Sequence, residues 1–188
     1  MSILPLSVSA NDAYTEKEKA ELAEAFGKAF GTTAKVYTYA EDSAEVLPPI
    51  IIFALGSVAG SILAGFLKAI GSDLWEAFKS KARSTISKPR RGGDSRIRIE
   101  FEYNGVKVSV GARTSDPETI DRIFDESKSV LQEVSEFVES KNVPAEKCQI
   151  HYSLSHDRKL SLDVAIVLSP NFGKYKFDYQ NKKWVQLG

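Results

Sequence analysis

Residues 46–70, VLPPIIIFALGSVAGSILAGFLKAI, contain no charged side chain between Val46 and Leu67. Pro48 and Pro49 suit the first turn of a helix, so the run predicts an apolar helix over residues 48–70. Twenty-two helical residues reach about 33 Å, enough for a hydrocarbon core of about 30 Å. Acidic residues precede the run and basic residues follow it, so a spanning helix would leave the C-terminal part of the chain in the cytoplasm.

A buried helix in a folded domain is the interpretation that we favour over a membrane span. Glycine and serine in the centre of the run reduce its hydrophobicity, and the strands predicted on either side look like parts of one sheet. A bilayer between those strands would leave each fragment too small to bury its apolar face. A third use of the helix is packing or oligomer contact through its ladder of small residues, Gly56, Gly60 and Ala64.

The rest of the chain alternates helical and strand patterns. Thr15 and Glu18 form a capping-box pattern before a first helix, and RIRIEFEYNGVKVSV predicts a hairpin that turns at Asn104 and Gly105. Further patterns predict a strand at 34–39, an amphipathic helix at 73–88, a long amphipathic helix from Pro117 to about Ser140, and four C-terminal strands.

The predicted fold class is therefore α+β. An antiparallel or mixed sheet is covered by the N-terminal helix, the apolar helix and the long helix, and a C-terminal β-meander extends it. We place the core at 1–142 and the four-strand extension at 143–188, within the same domain.

Composition narrows the setting. The 25 basic and 25 acidic residues cancel, so no global field points to a polyanionic partner. A single cysteine excludes an internal disulfide, and the N-terminus lacks the features of a secretory signal. These features predict a cytoplasmic protein, with a membrane location as the alternative if residues 46–70 span.

A local excess of positive charge after the apolar run is a candidate contact surface. Six cations cluster after the apolar run and form a candidate contact for a protein partner or an anionic surface: Lys79, Lys81, Arg83, Lys88, Arg90 and Arg91. A solvated helix face is the plainer interpretation of the same residues. Nucleic acid is not the expected partner, because Trp75 and Phe78 lie on the opposite stripe and cannot stack beside these cations.

No catalytic or metal-binding constellation is evident. Cys148, His151 and His156 are ligand types within a short stretch, but Cys148 and His151 point to opposite faces of a strand. The same geometry argues against a Cys–His nucleophilic pair. We therefore expect no cofactor, no metal and no enzymatic activity.

The order of elements resembles the effector-associated constant component domains of bacterial conflict systems. The resemblance rests on Leu55-Gly56-Ser57 in the apolar run and on Asn104-Gly105 in the hairpin, and it covers about residues 1–135. It implies an accessory that links an effector to its partners, with no family active site to transfer. The sequence thus predicts a non-catalytic bacterial adaptor with a protein partner; the alternative is a membrane-anchored or membrane-active protein that uses residues 46–70.

Overall fold

The computed structural model describes residues 6–39, 47–58, 72–103, 106–141, 148–154, 160–167, 173–178, 181 and 183–187. Within them the chain forms strands and helices of a mixed sheet, which confirms the α+β class. The strands are β1 Leu6–Asn11, β2 Ala34–Tyr39, β3 Ile50–Val58, β4 Ser95–Tyr103, β5 Val106–Thr114, β6 Cys148–Leu154, β7 Leu160–Val167, β8 Gly173–Asp178 and β9 Lys183–Leu187. The helices are α1 Glu16–Ala29, α2 Asp73–Ile86 and α3 Pro117–Lys141.

The described strands form one sheet in the order β2-β1-β3-β4-β5-β6-β7-β8-β9. Three neighbouring pairs are parallel, namely β1–β2, β3–β4 and β5–β6, and a helix separates the two strands of each pair along the chain. Parallel neighbours require such a crossover, whereas antiparallel neighbours do not. The antiparallel β6–β7–β8–β9 run confirms the predicted C-terminal meander.

Each of the three described helices begins with a side chain that caps its first turn. The Thr15 hydroxyl accepts a hydrogen bond from the Glu18 N–H at 3.2 Å, and the Glu18 carboxylate accepts one from the Thr15 N–H at 3.0 Å. This confirms the capping box. Ser72 caps α2 and Asp116 caps α3, each by accepting a first-turn N–H.

The predicted hairpin is also confirmed. Tyr103 at the end of β4 lies opposite Val106 at the start of β5, which leaves two residues for the turn; both lie outside the described residues. Burial in β4 alternates along the strand, as the sequence pattern requires for a sheet with one face in the core.

The helix predicted at 48–70 is wrong over 50–58, which form β3 between β1 and β4. Ile51, Phe53 and Leu55 are fully buried, and this spacing of two is the period of a strand. The side-chain amide of Asn11 fixes the start of β3, donating to the Pro48 carbonyl and accepting from the Ile50 N–H, each at 3.1 Å. A short apolar run suits a central strand as well as a buried helix, which is why periodicity misled the prediction.

This correction removes the premise shared by the buried-helix and membrane-span interpretations, an unbroken helix from residue 48. Gly56 has a φ of 58° beside a register shift between Ala54 and Ser57, so it serves a β-bulge and not a helix ladder. Gly60 and Ala64 lie outside the described residues. Among the helices that the structure describes, none is both long and apolar enough to cross a bilayer.

Phe53 locates the core. Its ring centroid lies 5.4 Å from Phe26 of α1, 5.2 Å from Phe78 of α2 and 5.5 Å from Phe124 of α3. One strand side chain therefore touches all three helices, so these helices share one face of the sheet. We call the opposite face, which carries Glu100, Ser109 and their row neighbours, the polar face.

Candidate functional site

Five of the six cations predicted as a contact surface form ion pairs within the protein. Lys79 pairs with Asp125 and, at 3.2 Å, with Glu76. Burial alone would lower the pKa of Lys79, but its hydrogen bonds to Asp125 and Glu76 raise it. This lysine therefore stays charged and ties α2 to α3.

Two further cations of α2 bridge to its neighbouring helices. Lys81 forms an ion pair with Glu21 of α1, and Arg83 contacts Asp121 of α3 at 2.6 Å. The flanks of α2 thus stabilise the three-helix layer.

Lys88 and Arg90 converge on Glu18 at the start of α1, at 2.8 and 3.0 Å. The Arg90 side chain is 9% exposed, donates to the carbonyls of Ala13 and Thr85, and lies 3.9 Å from the centre of the Tyr14 ring. Arg90 is thus a structural residue. Arg91 is exposed.

On the polar face, polar and charged side chains line a shallow depression. Strand register places Glu100, Ser109 and His151 in one row across β4, β5 and β6, with Glu102 and Lys107 in the next row. A depression of about 370 Å³ lies over these rows. Its lining consists of Ala54, Gly56, Glu100, Phe101, Glu102, Lys107, Val108, Ser109 and His151.

Ser109 and His151 are the closest polar pair in this depression. The Ser109 Oγ lies 2.5 Å from the His151 Nδ1, and Ser109 is only 8% exposed. Burial and the nearby Arg98 cation lower the pKa of His151, and Glu100 offsets part of this effect. The imidazole is therefore neutral at pH 7. In the tautomer protonated at Nε2, its Nδ1 accepts the serine hydroxyl.

The charged groups around this pair are loosely held. Arg98 and Glu100 are 3.9 Å apart, with side chains 45% and 40% exposed. Exposed ion pairs at that distance contribute little to stability, so Arg98 and Glu100 can both still hydrogen-bond to a ligand. The depression can therefore offer a carboxylate, a neutral Ser–His pair and the exposed Lys107 to one bound group.

Of the metal ligands considered in the sequence, His151 in β6 is the one whose side chain the structure describes. The side chain of Cys148 is outside the described part of the chain. His156 lies outside the described residues. Within the described part of the chain there is no group of three residues that could hold a metal ion.

The alternation of RIRIEFEY is a sequence signal for the outward face that carries Arg98, Glu100 and Glu102, but no pattern in the sequence indicated the site. The alternation of β4 and β5 is a local signal that puts Glu100, Lys107 and Ser109 on one surface. His151 lies beside Ser109 because β5 and β6 pair in parallel, and no local sequence pattern specifies that pairing.

Comparisons with known proteins leave the family open. No protein-family model matches the chain, and no curated protein matches it. A solved structure named "Crystal Structure of Pt0534 Inactivated by 2-Oxo-3-pentynoate" is similar at 15% identity and a TM-score of 0.32, over 53% of this chain and 87% of that one. A similarity this low carries no argument about fold or function.

Proposed function

We propose that this protein is a non-catalytic adaptor that binds a protein partner through the depression on its polar face. The observation that carries the proposal is the contrast between its two charged surfaces. The cations of α2 are paired with acids of α1 and α3, whereas Arg98 and Glu100 on the polar face are exposed and 3.9 Å apart.

The chemistry of the depression favours a basic side chain of the partner. Glu100 and Glu102 project from the same face of β4, about 7 Å apart along the strand. A partner lysine or arginine can approach the exposed Glu100 carboxylate and form a charge-assisted hydrogen bond. His151, which lies beside it and is partly exposed, adds a neutral imidazole for polar groups that flank that side chain.

This role agrees in kind with the resemblance over residues 1–135, which implies an accessory of a bacterial conflict system. In that setting the partner would be an effector component that presents a basic segment. An adaptor needs no catalytic group, because its contribution is to hold two components together.

Site-specific cross-linking tests the proposal in the native host. A photoactivatable residue at Lys107, inside the depression, should capture the partner, whereas the same residue at Arg91, exposed after α2, should not. Capture from position 91 alone, or no capture from position 107, would reject the polar face as the contact surface.

Affinity measurements with the purified partner then test the basic-group assignment. We expect Glu100→Gln to raise the dissociation constant about tenfold, the usual effect of losing one interfacial charge pair of about 1.4 kcal/mol. Asp94→Asn is a matched control, because Asp94 is an exposed acid just before β4 and outside the depression. Equal affinities for both variants would contradict the assignment.

One observation favours a second candidate, acyl transfer with Ser109 as nucleophile. A neutral histidine 2.5 Å from a serine hydroxyl has the geometry of a general base beside its nucleophile. The 8% exposure of Ser109 argues against attack on a substrate. We expect a fluorophosphonate probe not to label the protein; labelling that disappears in both Ser109→Ala and His151→Gln would replace the adaptor proposal with an enzymatic one.

A further inference from the structure

The outer strand β2 is the most exposed strand whose side chains are described. Residues 35–39 are all exposed, and within the described sheet β2 has a neighbour, β1, on one side only. Large exposed apolar side chains are concentrated there. Of the four in the described residues, Val36, Tyr37 and Tyr39 lie in β2, with Tyr37 52% exposed, and the fourth is Leu74.

This edge has few of the features by which proteins usually prevent strand addition. Six consecutive residues of β2 pair in register with β1 without a bulge, and the strand contains no proline. Lys35 is its one charged residue. A regular edge of this kind presents unpaired N–H and C=O groups to a further strand.

We propose that β2 pairs antiparallel with β2 of a second copy of this chain, joining two sheets about a twofold axis. The order of side chains in AKVYTY suits this self-pairing. With Tyr37 on the axis, Val36 lies opposite Thr38 of the second copy, and Lys35 lies opposite Tyr39 of the second copy. These are a β-branched pair and a cation–aromatic pair, and the two Tyr37 rings can pack against each other.

The rest of the fold is compatible with this arrangement. With Tyr37 on the axis, even-numbered residues lie opposite even-numbered ones and odd opposite odd. The helix-covered faces of the two sheets are therefore on the same side of the joined sheet. Helix α1 packs on both β1 and β2, and Lys19 hydrogen-bonds Thr38 at 3.0 Å. With strands about 4.8 Å apart, the two α1 helices would lie about 10 Å apart, a normal packing distance.

Charge does not oppose the association. The chain has a formal net charge of zero at pH 7, so two copies have no long-range repulsion to overcome. A partner of another sequence could use the same edge, but the side-chain order of β2 is itself complementary to β2. The second copy is therefore the occupant that this edge specifies.

Sedimentation equilibrium of the full chain tests the proposal directly. Between about 1 and about 200 µM the wild type should rise from the 20.7 kDa of one chain toward twice that mass. Tyr37→Lys places a charge on the axis and should weaken the dimer at least about tenfold. Leu74→Lys is the matched control, since it makes the same change at an equally exposed apolar residue outside the sheet.

Hydrogen exchange identifies the interface and guards against misfolding. In the wild type, amides of 35–39 should exchange more slowly at high than at low protein concentration, and Tyr37→Lys should lose this difference while keeping the wild-type melting temperature. A wild type that stays monomeric throughout, or a dimer that Tyr37→Lys leaves unchanged, would overturn the proposal. A Tyr37→Lys protein that fails to fold shifts the decision to the concentration dependence of the wild-type amides.

Discussion

Replacing Glu18 by glutamine should destabilise the protein in a strongly pH-dependent way. The Glu18 carboxylate accepts hydrogen bonds from the Thr15 N–H, from Lys88 at 2.8 Å and from Arg90 at 3.0 Å, and its side chain is 13% exposed. It therefore joins the first turn of α1 to the segment that follows α2. The glutamine side chain keeps the shape but cannot neutralise the two cations.

The size of the expected loss of stability follows from the pKa of Glu18. Burial raises this pKa, but the hydrogen bonds from Arg90, Lys88 and the Thr15 N–H lower it to about 2, against an ordinary 4.5. At 1.36 kcal/mol per pKa unit, this difference corresponds to about 3 kcal/mol, or about 2 kcal/mol after allowance for solvent screening.

The sign of the pH effect is fixed by proton binding. In the unfolded chain Glu18 binds its proton near pH 4.5, whereas in the folded protein it stays charged down to about pH 2. The stabilisation is therefore complete above pH 4.5 and is lost as the pH falls through about 2. Glu18→Gln removes the titrating group and with it this part of the acid sensitivity.

Urea unfolding followed by tryptophan fluorescence measures the effect. The wild type should exceed Glu18→Gln in unfolding free energy by about 2 kcal/mol at pH 7, and the gap should narrow steadily between pH 4.5 and pH 2. Glu24→Gln is the control, because the Glu24–Lys28 pair is 2.6 Å long but about two-thirds exposed at both ends; its effect on the unfolding free energy should be much smaller than that of Glu18→Gln. A gap that is independent of pH, or equal for the two variants, would refute the role given to Glu18.

Three further predictions address the core, the hairpin and the site. Phe53→Ala should lower the unfolding free energy by about 3–5 kcal/mol, because its ring contacts all three helices, whereas Leu74→Ala should cost little; equal losses in urea unfolding would contradict the placement of β3. Gly111→Ala should cost about 1–3 kcal/mol in the same assay, since its Cβ would lie 2.2 Å from the Ile97 carbonyl oxygen, and an unchanged stability would show that the β4–β5 contact is looser than described. NMR titration should give His151 a pKa below 6.5, and Arg98→Gln should raise that pKa by removing a nearby cation. In the wild type the unfolded chain binds this proton more readily than the folded protein does, so His151 should reduce stability as the pH falls below 6.5. A measured pKa at or above 6.5 would contradict the burial of His151 beside Ser109.

The elements that the sequence predicted well are those fixed by neighbouring residues. The capping box at Thr15 and Glu18 and the two-residue turn between β4 and β5 depend on contacts within a few positions. Both were read correctly, because the polar groups that define them have few other ways to be satisfied. The wet face of the hairpin, and so half of the candidate site, followed from the same local alternation.

The elements that were missed depend on neighbours far along the chain. Ile50–Val58 lies between β1 and β4 and buries side chains against three helices, so its residues need not alternate with polar ones. A central strand of this kind has the composition of a buried helix. Likewise, His151 reaches Ser109 only through the pairing of β5 with β6, across the whole of α3.

The basic segment shows how charge imbalance within a neutral chain can be interpreted. Residues 68–91 carry seven cations and two acids, whereas residues 1–45 carry eight acids and four lysines. An external anionic partner is one explanation for such a segment, but a chain of zero net charge already contains the opposite charges. Glu18 and Glu21 of α1 meet Lys88, Arg90 and Lys81, and Asp121 and Asp125 of α3 meet Arg83 and Lys79. Opposite imbalances in two segments of a neutral chain therefore indicate that those segments pack against each other, and a search for partners should begin on the polar face, where the charges of Arg98 and Glu100 are still exposed.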